Sequence, residues 1–150
     1  MNLVIKNEKA MEALGARIAT SCIDGALIFL KGNLGAGKTT LVRGLLRSLG
    51  YQGIVKSPTY ALIESYDIHG RQVYHLDLYR LSDPEELDYL GVREFRDGQA
   101  ICLIEWPEKA AEQSLQADMV IQIDYAGEGR NIKIEAKTSV GEKMVDLLQK

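Results

Sequence analysis

Residues 32–40 read GNLGAGKTT, and this stretch decides the fold of the 150-residue chain. Its first glycine, Gly32, is followed after four variable residues by Gly37, Lys38 and Thr39, which is the Walker A pattern. Glycines at these positions let backbone N–H groups turn inward around a phosphate, and the lysine neutralises the phosphate charge. The stretch therefore predicts a loop that binds the phosphates of a nucleotide.

Apolar patterns on both sides give this loop the context that it requires. Ala26–Leu30 is a continuous apolar run, typical of a strand that is buried on both faces. From Lys38 onward, leucines and a valine recur at helical spacing until Gly50 supplies a stop. Strand, glycine loop and helix follow one another as in a P-loop.

The lysine and the hydroxyl residues of the loop have separate expected roles. We expect Lys38 to lie along the β- and γ-phosphates and the Thr39 hydroxyl to hold Mg²⁺, which bridges the same phosphates. Thr40 lies in the first helical turn, where its hydroxyl can bond an α-phosphate oxygen. The loop therefore predicts ATP or GTP together with magnesium.

The rest of the sequence favours ATP over GTP. GTP-binding proteins usually carry an Asn-Lys-x-Asp element that holds guanine, and this chain has none. Asp67–Gly70 does match the Asp-x-x-Gly of a GTPase switch. Such a tetrapeptide is common, however, and we interpret Gly70 as the turn of a hairpin that leads into Val73–Tyr79.

Two acidic residues are candidates for completing the site. Glu105 directly follows the apolar run Ile101–Ile104, and in P-loop proteins the acid that positions Mg²⁺ usually follows such a run. The alternative is that Glu105 is a solvent-facing glutamate at a strand end. Asp77 lies in an alternating stretch, where an unpaired carboxylate would be costly to bury. It therefore needs Mg²⁺, an attacking water, or simply Arg80 or His75 as a partner.

The sequence also suggests roles for three further side chains, Thr59, His75 and Trp106. In Ser57-Pro58-Thr59-Tyr60, Thr59 could meet Mg²⁺ or sense the γ-phosphate, or the segment could be only a tight turn. His75 is interpreted as a structural hydrogen-bonder. Trp106 could pack in the core or form part of a contact surface.

The remaining patterns predict a single domain over residues 1–150. A helix follows Asn7, a short helix opens at Asp83-Pro84-Glu85-Glu86, and another closes the chain. Met119–Tyr125 and Ile132–Ala136 alternate and predict an antiparallel hairpin. The expected fold is α/β, a three-layer P-loop NTPase-like fold with a mixed, partly antiparallel central sheet.

Composition narrows the functional classes. The net charge is −3, from 18 Lys and Arg against 21 Asp and Glu, and this gives no strong field for a direct grip on RNA. Cys22 and Cys102 match neither a disulfide framework nor a metal-ligand spacing. Because no segment has the length of a membrane span, we expect a cytoplasmic protein without membrane contact.

The motifs together resemble the TsaE family, also called YjeE. They are GNLGAGKTT at 32–40, SPTY at 57–60, HLDLYRL at 75–81, DPEEL at 83–87 with LG at 90–91, and LIEWPEK at 103–109. The resemblance extends over nearly the whole chain. It implies a Mg²⁺-dependent ATPase required for threonylcarbamoylation of adenosine 37 in tRNAs that read codons beginning with A. The implied partners are TsaB and TsaD, and tRNA is reached indirectly through that complex.

The resemblance also implies roles for individual residues. Phosphates would be bound by Gly35, Ala36, Gly37, Lys38, Thr39 and Thr40. Thr39 and Glu105 would hold magnesium, and Asp77 would be the acid needed for hydrolysis, acting with Glu105 and Lys38. Glu8 and Arg130 would flank the base. Asn33 departs from the family loop, where an aspartate is expected.

Two rival functions remain at the level of sequence. A small-molecule kinase of the shikimate kinase type has a similar loop and length, and Arg93 and Arg96 could form its lid, but its other motifs are absent. A nucleotide-sensing module that binds without hydrolysing is allowed by all the motifs. The fate of the γ-phosphate separates these functions.

Overall fold

The fold is built around one seven-stranded sheet. The computed structural model describes residues 1–81, 83, 85, 99–109 and 115–150. The strands are β1 (Asn2–Ile5), β2 (Ala26–Lys31), β3 (Ile63–Ile68), β4 (Arg71–Asp77), β5 (Ile101–Glu105), β6 (Met119–Ala126) and β7 (Gly129–Ala136). The helices of the described residues are α1 (Glu8–Ser21), α2 (Lys38–Leu49), α3 (Ser139–Leu148) and a short 3₁₀ helix at Pro107–Lys109.

Parallel strands form the centre of the sheet and antiparallel strands form both edges. The strand order is β1-β7-β6-β2-β5-β4-β3. Strands β6, β2, β5 and β4 run parallel, whereas β3 on one side and β7 with β1 on the other run antiparallel to their neighbours. The predicted α/β class with a mixed sheet is confirmed. Because parallel strands share one carboxyl edge, the residues that follow β2, β4 and β5 meet there.

Glycines and a polar cap set the ends of the helices. The side-chain oxygen of Asn7 accepts a hydrogen bond from the N–H of Ala10 at 2.8 Å, as predicted for an N-cap. Helix α2 begins directly after Gly37, whose φ is 117°, and ends at Gly50, whose φ is 110°. Both angles lie in the left-handed region that glycine adopts without the steric cost of a Cβ. These two positions fix where the phosphate loop stops and where the helix behind it ends.

Apolar side chains cover both faces of the sheet. Alternate residues of β2 divide between two clusters, so this strand is buried on both faces as predicted. On one face the three longer helices cover the larger cluster, with Ile18 of α1, Leu45 of α2 and Met144 of α3 among its members. The smaller cluster on the other face consists of Leu27, Leu76, Leu78, Leu81, Cys102, Ile104 and Leu115.

Helices α1 and α2 approach each other unusually closely. A Cβ atom at Gly15 of α1 would lie 2.1 Å from the carbonyl oxygen of Leu41 in α2. A Cβ atom at Gly44 of α2 would likewise lie 2.1 Å from the carbonyl oxygen of Glu12 in α1. Only glycine fits at both positions. The crossing therefore anchors the helix whose first turn carries the phosphate-binding residues.

The predicted turns and cysteines agree with the structure. Strands β6 and β7 form the expected antiparallel hairpin. Gly70, with a φ of 85°, turns the β3–β4 hairpin and donates its N–H to Asp67 Oδ1 at 3.2 Å, which fits a turn. Cys22 and Cys102 are buried and free. Strand β1 was not predicted, and β3 was predicted only as the partner of a hairpin, without residue bounds.

Part of the sequence-based account falls outside the described residues. Of the helix predicted at Asp83-Pro84-Glu85-Glu86, only Asp83 and Glu85 are described; the N–H of Glu85 donates to Asp83 Oδ1 at 2.9 Å. Arg93 and Arg96, considered for a lid, lie outside the described residues. Within the described part of the chain, each helix is too short or too polar to cross a membrane.

Candidate nucleotide-binding site

The phosphate loop connects β2 to α2, and its lysine folds back across it. Lys38 Nζ donates a hydrogen bond to the carbonyl oxygen of Gly32 at 2.6 Å. The Lys38 side chain is only 6% exposed. The ammonium group therefore joins the first glycine of the loop to the first turn of the helix, and its place along the β- and γ-phosphates stays a prediction.

Lys38 also begins a buried chain of three charged or polar side chains. Its Nζ lies 3.4 Å from Oε1 of Glu105, the last residue of β5. The other carboxylate oxygen, Oε2, lies 2.6 Å from Nε2 of His75 in β4. Because an ionised carboxylate only accepts, His75 Nε2 donates this hydrogen bond. Glu105 is thus not a solvent-facing residue at a strand end, which was the alternative that the sequence left open.

The surroundings of Glu105 favour its charged form. Burial alone would raise the pKa of Glu105, but the hydrogen bond and charge of His75, together with the Lys38 ammonium, outweigh burial and hold the pKa below its ordinary value. His75 is fully buried, and its Nδ1 has no hydrogen-bond partner among the described residues. The histidine is therefore a hydrogen-bonder as predicted, and its bond holds the orientation of Glu105.

Asp77 lies beside Glu105 at the carboxyl end of the neighbouring strand. Sequence alternation put it in the middle of a strand, but β4 ends at Asp77, because the chain turns directly after it. Asp77 is 3% exposed. Its Oδ2 accepts a hydrogen bond from the Thr59 hydroxyl at 3.2 Å, and its Oδ1 accepts one from the N–H of Tyr79 at 3.0 Å.

The two side chains named from sequence as candidate partners of Asp77 are engaged elsewhere. His75 bonds Glu105, and the Arg80 guanidinium lies 4.4 Å from the ring centre of Tyr60. Instead, the Ser57–Tyr60 segment turns so that Thr59 meets Asp77, with the Ser57 hydroxyl 2.7 Å from that of Thr59. Both interpretations of the segment, tight turn and switch-like position, are compatible with this geometry.

Trp106 follows Glu105 and closes the site from the side. Its φ of 57° is unusual for a bulky residue. The ring packs against the smaller cluster and lies 5.0 Å from the ring of Tyr79, and Lys38 Nζ is 4.8 Å from its centre. Trp106 therefore packs partly into the core and partly against the lysine of the loop.

A cleft opens on the other side of the loop. It is bordered by the start of α1, the loop and the β6–β7 turn, and it contains both Glu8 and Arg130. Thr40 lines the same cleft, whereas Lys38 turns toward Glu105. The residues lining the cleft are Ile5, Asn7, Glu8, Met11, Gly35, Ala36, Gly37, Thr40, Glu128, Gly129 and Arg130.

The hairpin beyond the cleft contacts the loop directly, through a residue that sequence analysis did not single out. The Tyr125 hydroxyl donates to the carbonyl oxygen of Leu34. Arg130 Nε donates to the carbonyl oxygen of Ala36 at 2.8 Å, and its Nη2 donates to that of Gly35 at 3.3 Å. Tyr125 is 91 residues from its acceptor in sequence, so local patterns carry no signal for this contact.

Comparison with known proteins decides the family. A family model described as "Threonylcarbamoyl adenosine biosynthesis protein TsaE" matches residues 5–133 of this chain. The chain belongs to the TsaE family. The resemblance indicated by the sequence motifs is confirmed.

Members of the TsaE family from several bacteria match most of this chain. The relatives below are each named "tRNA threonylcarbamoyladenosine biosynthesis protein TsaE". That of Haemophilus influenzae is 50% identical over 119 residues, covering 79% of this chain and 75% of that protein. That of Bacillus subtilis is 38% identical over 122 residues (81% and 76%), and that of Rickettsia felis is 31% identical over 148 residues (98% and 86%).

A solved structure supports the fold. The crystal structure of YdiB from Bacillus subtilis superimposes with a TM-score of 0.83 at 30% sequence identity. The match covers 99% of this chain and 93% of that chain. The predicted P-loop NTPase-like fold is therefore confirmed.

The donor set of this TsaE-family site fits a magnesium nucleotide. Mg²⁺ takes oxygen ligands, often one or two carboxylates together with phosphates and water. Glu105 and Asp77 supply buried carboxylates next to the loop, and Thr39 supplies a hydroxyl from the first turn of α2. The roles assigned to these residues, and the expected contacts of Glu8 and Arg130 with the nucleotide base, remain predictions.

Proposed function

We propose that this protein binds and hydrolyses ATP with Mg²⁺ and thereby supports formation of N6-threonylcarbamoyladenosine in tRNA. The observation that carries the proposal is the convergence of Lys38, Glu105 and Asp77 at the carboxyl edge of three parallel strands, beside a Walker A loop. A cation for the phosphates and acids for metal and water are the parts that phosphoryl transfer to water requires.

The residues on the two sides of the loop indicate how the nucleotide would be oriented. Lys38 points toward Glu105, so the β- and γ-phosphates belong on that side. Thr40 lines the cleft with Glu8 and Arg130, so the α-phosphate, ribose and adenine belong there. Helix α2 adds the positive end of its dipole and its free N–H groups at the phosphates.

Thr39 and Glu105 would hold the metal. Magnesium held by these residues would supply positive charge to offset the negative charge that develops as the terminal phosphate leaves. His75 holds Glu105 through Oε2 and so leaves Oε1 free to exchange its Lys38 contact for that role. Lys38 in turn can leave the Gly32 carbonyl for the phosphates, because ammonium groups bond anionic oxygens more strongly than a carbonyl.

Asp77 would orient the attacking water and accept its proton. Its buried carboxylate is held by the N–H of Tyr79 through Oδ1. Among the described residues, the Thr59 hydroxyl, from a turn, is the group that bonds Oδ2. Thr59 can therefore turn from Asp77 to a bound γ-phosphate, which frees Oδ2 for water and couples the turn to the state of the nucleotide.

The target of this switch would be the TsaB–TsaD complex. Hydrolysis that moves the Ser57–Tyr60 turn acts on a partner surface, as expected of a protein that resets a complex between turnovers. A net charge of −3 favours reaching tRNA through that complex rather than by direct binding.

A reconstituted modification assay tests this function. TsaB–TsaD, tRNA and threonylcarbamoyl adenylate are combined with ATP, with or without this protein, and modified adenosine per TsaD is counted. We expect more than one product per TsaD only with the wild-type protein, and the Lys38→Ala variant should not support it. Multiple turnovers without the protein, or with Lys38→Ala, would contradict the proposal.

A further inference from the structure

Three consecutive carbonyl groups of the phosphate loop face the β6–β7 hairpin. The carbonyl oxygen of Leu34 accepts from Tyr125, and those of Gly35 and Ala36 accept from Arg130. The loop itself is largely exposed, with Leu34 at 68%. Among the residues that the structure describes, the hairpin thus supplies the side-chain hydrogen bonds to these three carbonyl groups.

The orientation of the carbonyls dictates that of the adjoining N–H groups. In a trans peptide the C=O of one residue and the N–H of the next point in opposite directions, and the loop has trans peptides. Carbonyls turned toward the hairpin therefore turn the N–H groups of Gly35, Ala36 and Gly37 away from it. The Ala36 N–H donates to the carbonyl oxygen of Asn33 at 3.1 Å, whereas those of Gly35 and Gly37 have no acceptor within the described part of the chain and remain for an anion.

Tyr125 and Arg130 support each other. The Arg130 guanidinium lies 4.6 Å from the ring centre of Tyr125, within cation–π range. Arg130 Nη1 also donates to the carbonyl oxygens of Gly129 at 2.7 Å and Glu128 at 3.2 Å. The guanidinium is therefore bonded to its own turn at the same time as it bonds the phosphate loop.

We propose that Tyr125 and Arg130 are positioning residues that hold the phosphate loop with its N–H groups directed at the phosphates. The inference takes the identity of the ligand, ATP, from the proposed function. The claim that the hairpin orders the loop does not depend on that function. It assigns Tyr125 a role in nucleotide binding and gives Arg130 one that is separate from any contact with the base. Neither residue touches the reacting atoms.

Conservative substitutions separate this role from general stability. Tyr125→Phe removes the bond to Leu34 but keeps the ring under Arg130. Tyr51→Phe is the matched control, since the Tyr51 hydroxyl donates to the carbonyl oxygen of Ile54 at 3.0 Å, in another part of the chain. Arg130→Lys keeps the charge and loses the planar set of donors.

Two readouts are taken for each variant. Backbone ¹⁵N order parameters of Gly35 and Gly37 are measured in the nucleotide-free protein, and ATP affinity is measured by calorimetry. For Tyr125→Phe we expect lower order parameters and about three- to tenfold weaker ATP binding, as for loss of one hydrogen bond. Arg130→Lys should show larger changes, whereas Tyr51→Phe should match wild type in both readouts.

Two other outcomes would contradict the inference, and a third would contradict only the proposed function. Unchanged order parameters in Tyr125→Phe and Arg130→Lys would overturn it. Lower order parameters with unchanged ATP affinity would also overturn it, because the ordered conformation of the loop would then not contribute to phosphate binding. If the wild-type protein does not bind ATP, the proposed function fails, and the order parameters alone decide whether the hairpin holds the loop.

Discussion

Asp77 and Glu105 are register partners at the carboxyl ends of the parallel strands β4 and β5. Leu30, two residues before the phosphate loop, is the register partner of Glu105 on the other side. The sheet thus places two buried carboxylates and the loop lysine next to one another, although they come from distant parts of the sequence. This arrangement gives the acids different neighbours, and therefore different expected roles.

Replacing Lys38 with alanine should abolish measurable ATP binding. The variant loses an ammonium that can bond two phosphates, so affinity should fall by roughly 100-fold or more. Isothermal titration calorimetry measures it, with Lys31→Ala, which removes an exposed lysine at the end of β2, as the control. Equal affinity in Lys38→Ala and Lys31→Ala would contradict the P-loop assignment.

Glu105→Gln should weaken the dependence of nucleotide binding on magnesium. Glutamine keeps an oxygen for His75 but lacks the charge that attracts a divalent ion. ATP affinity is titrated with and without Mg²⁺ in the variant and the wild type. A wild-type magnesium effect in Glu105→Gln would transfer the metal role to Asp77.

Asp77→Asn should reduce hydrolysis while leaving the fold intact. Asparagine retains an oxygen that can accept from Tyr79 N–H, but it cannot take a proton from water. We expect ATP turnover to fall by about 100-fold or more with a melting temperature near that of wild type. A variant that melts much earlier, yet hydrolyses ATP normally while folded, would show that Asp77 is structural.

The lowered pKa of Glu105 predicts a specific loss of stability in acid. The folded-state pKa lies below the unfolded value of about 4.5, so the unfolded chain takes up the proton first. The stabilisation is present above the unfolded pKa and is lost as pH falls from there through the folded value. As the pH is lowered below 5, the free energy of unfolding measured in urea should therefore fall more steeply for the wild type than for Glu105→Gln.

An exposed carboxylate provides the control for this pH dependence. Glu128→Gln, in the β6–β7 turn, should retain the steep wild-type fall in unfolding free energy. Parallel pH profiles for wild type and Glu105→Gln would mean that the surroundings of Glu105 do not favour its charged form.

Gly15→Ala should destabilise the protein despite the higher helix propensity of alanine. Its Cβ would lie 2.1 Å from the Leu41 carbonyl oxygen, so α1 and α2 must move apart, at a cost of about 2–3 kcal/mol. Gly70→Ala has free space and only a positive φ to overcome, so it should cost about 1–2 kcal/mol. Urea unfolding compares the two, and a stabilised Gly15→Ala would refute the close crossing.

Local patterns were sufficient for the loop and its immediate supports. Gly37 and Gly50 mark the ends of α2 because each needs a positive φ, and Glu105 follows a run that only a buried strand explains. These signals are local, so they survive in a single sequence. The family motifs added the expected role of Asp77 in hydrolysis.

Other features depend on contacts that sequence spacing does not encode. The bond from Thr59 to Asp77 crosses 18 residues, and that from Tyr125 to Leu34 crosses 91. Strands β1 and β3 lie at the sheet edges, where only part of each strand is buried and the alternation is weak. The end of β4 at Asp77 was likewise missed, because the alternating pattern continues beyond the last paired residue.

The most direct test of the central claim follows the labelled γ-phosphate of ATP, with and without the TsaB–TsaD pair. We predict that free phosphate appears in the presence of Mg²⁺, that its rate or the affinity for ATP responds to the pair, and that Asp77→Asn suppresses it. If the label stays on ATP until a small metabolite is added and then moves to that metabolite, the protein is a kinase and the account is contradicted.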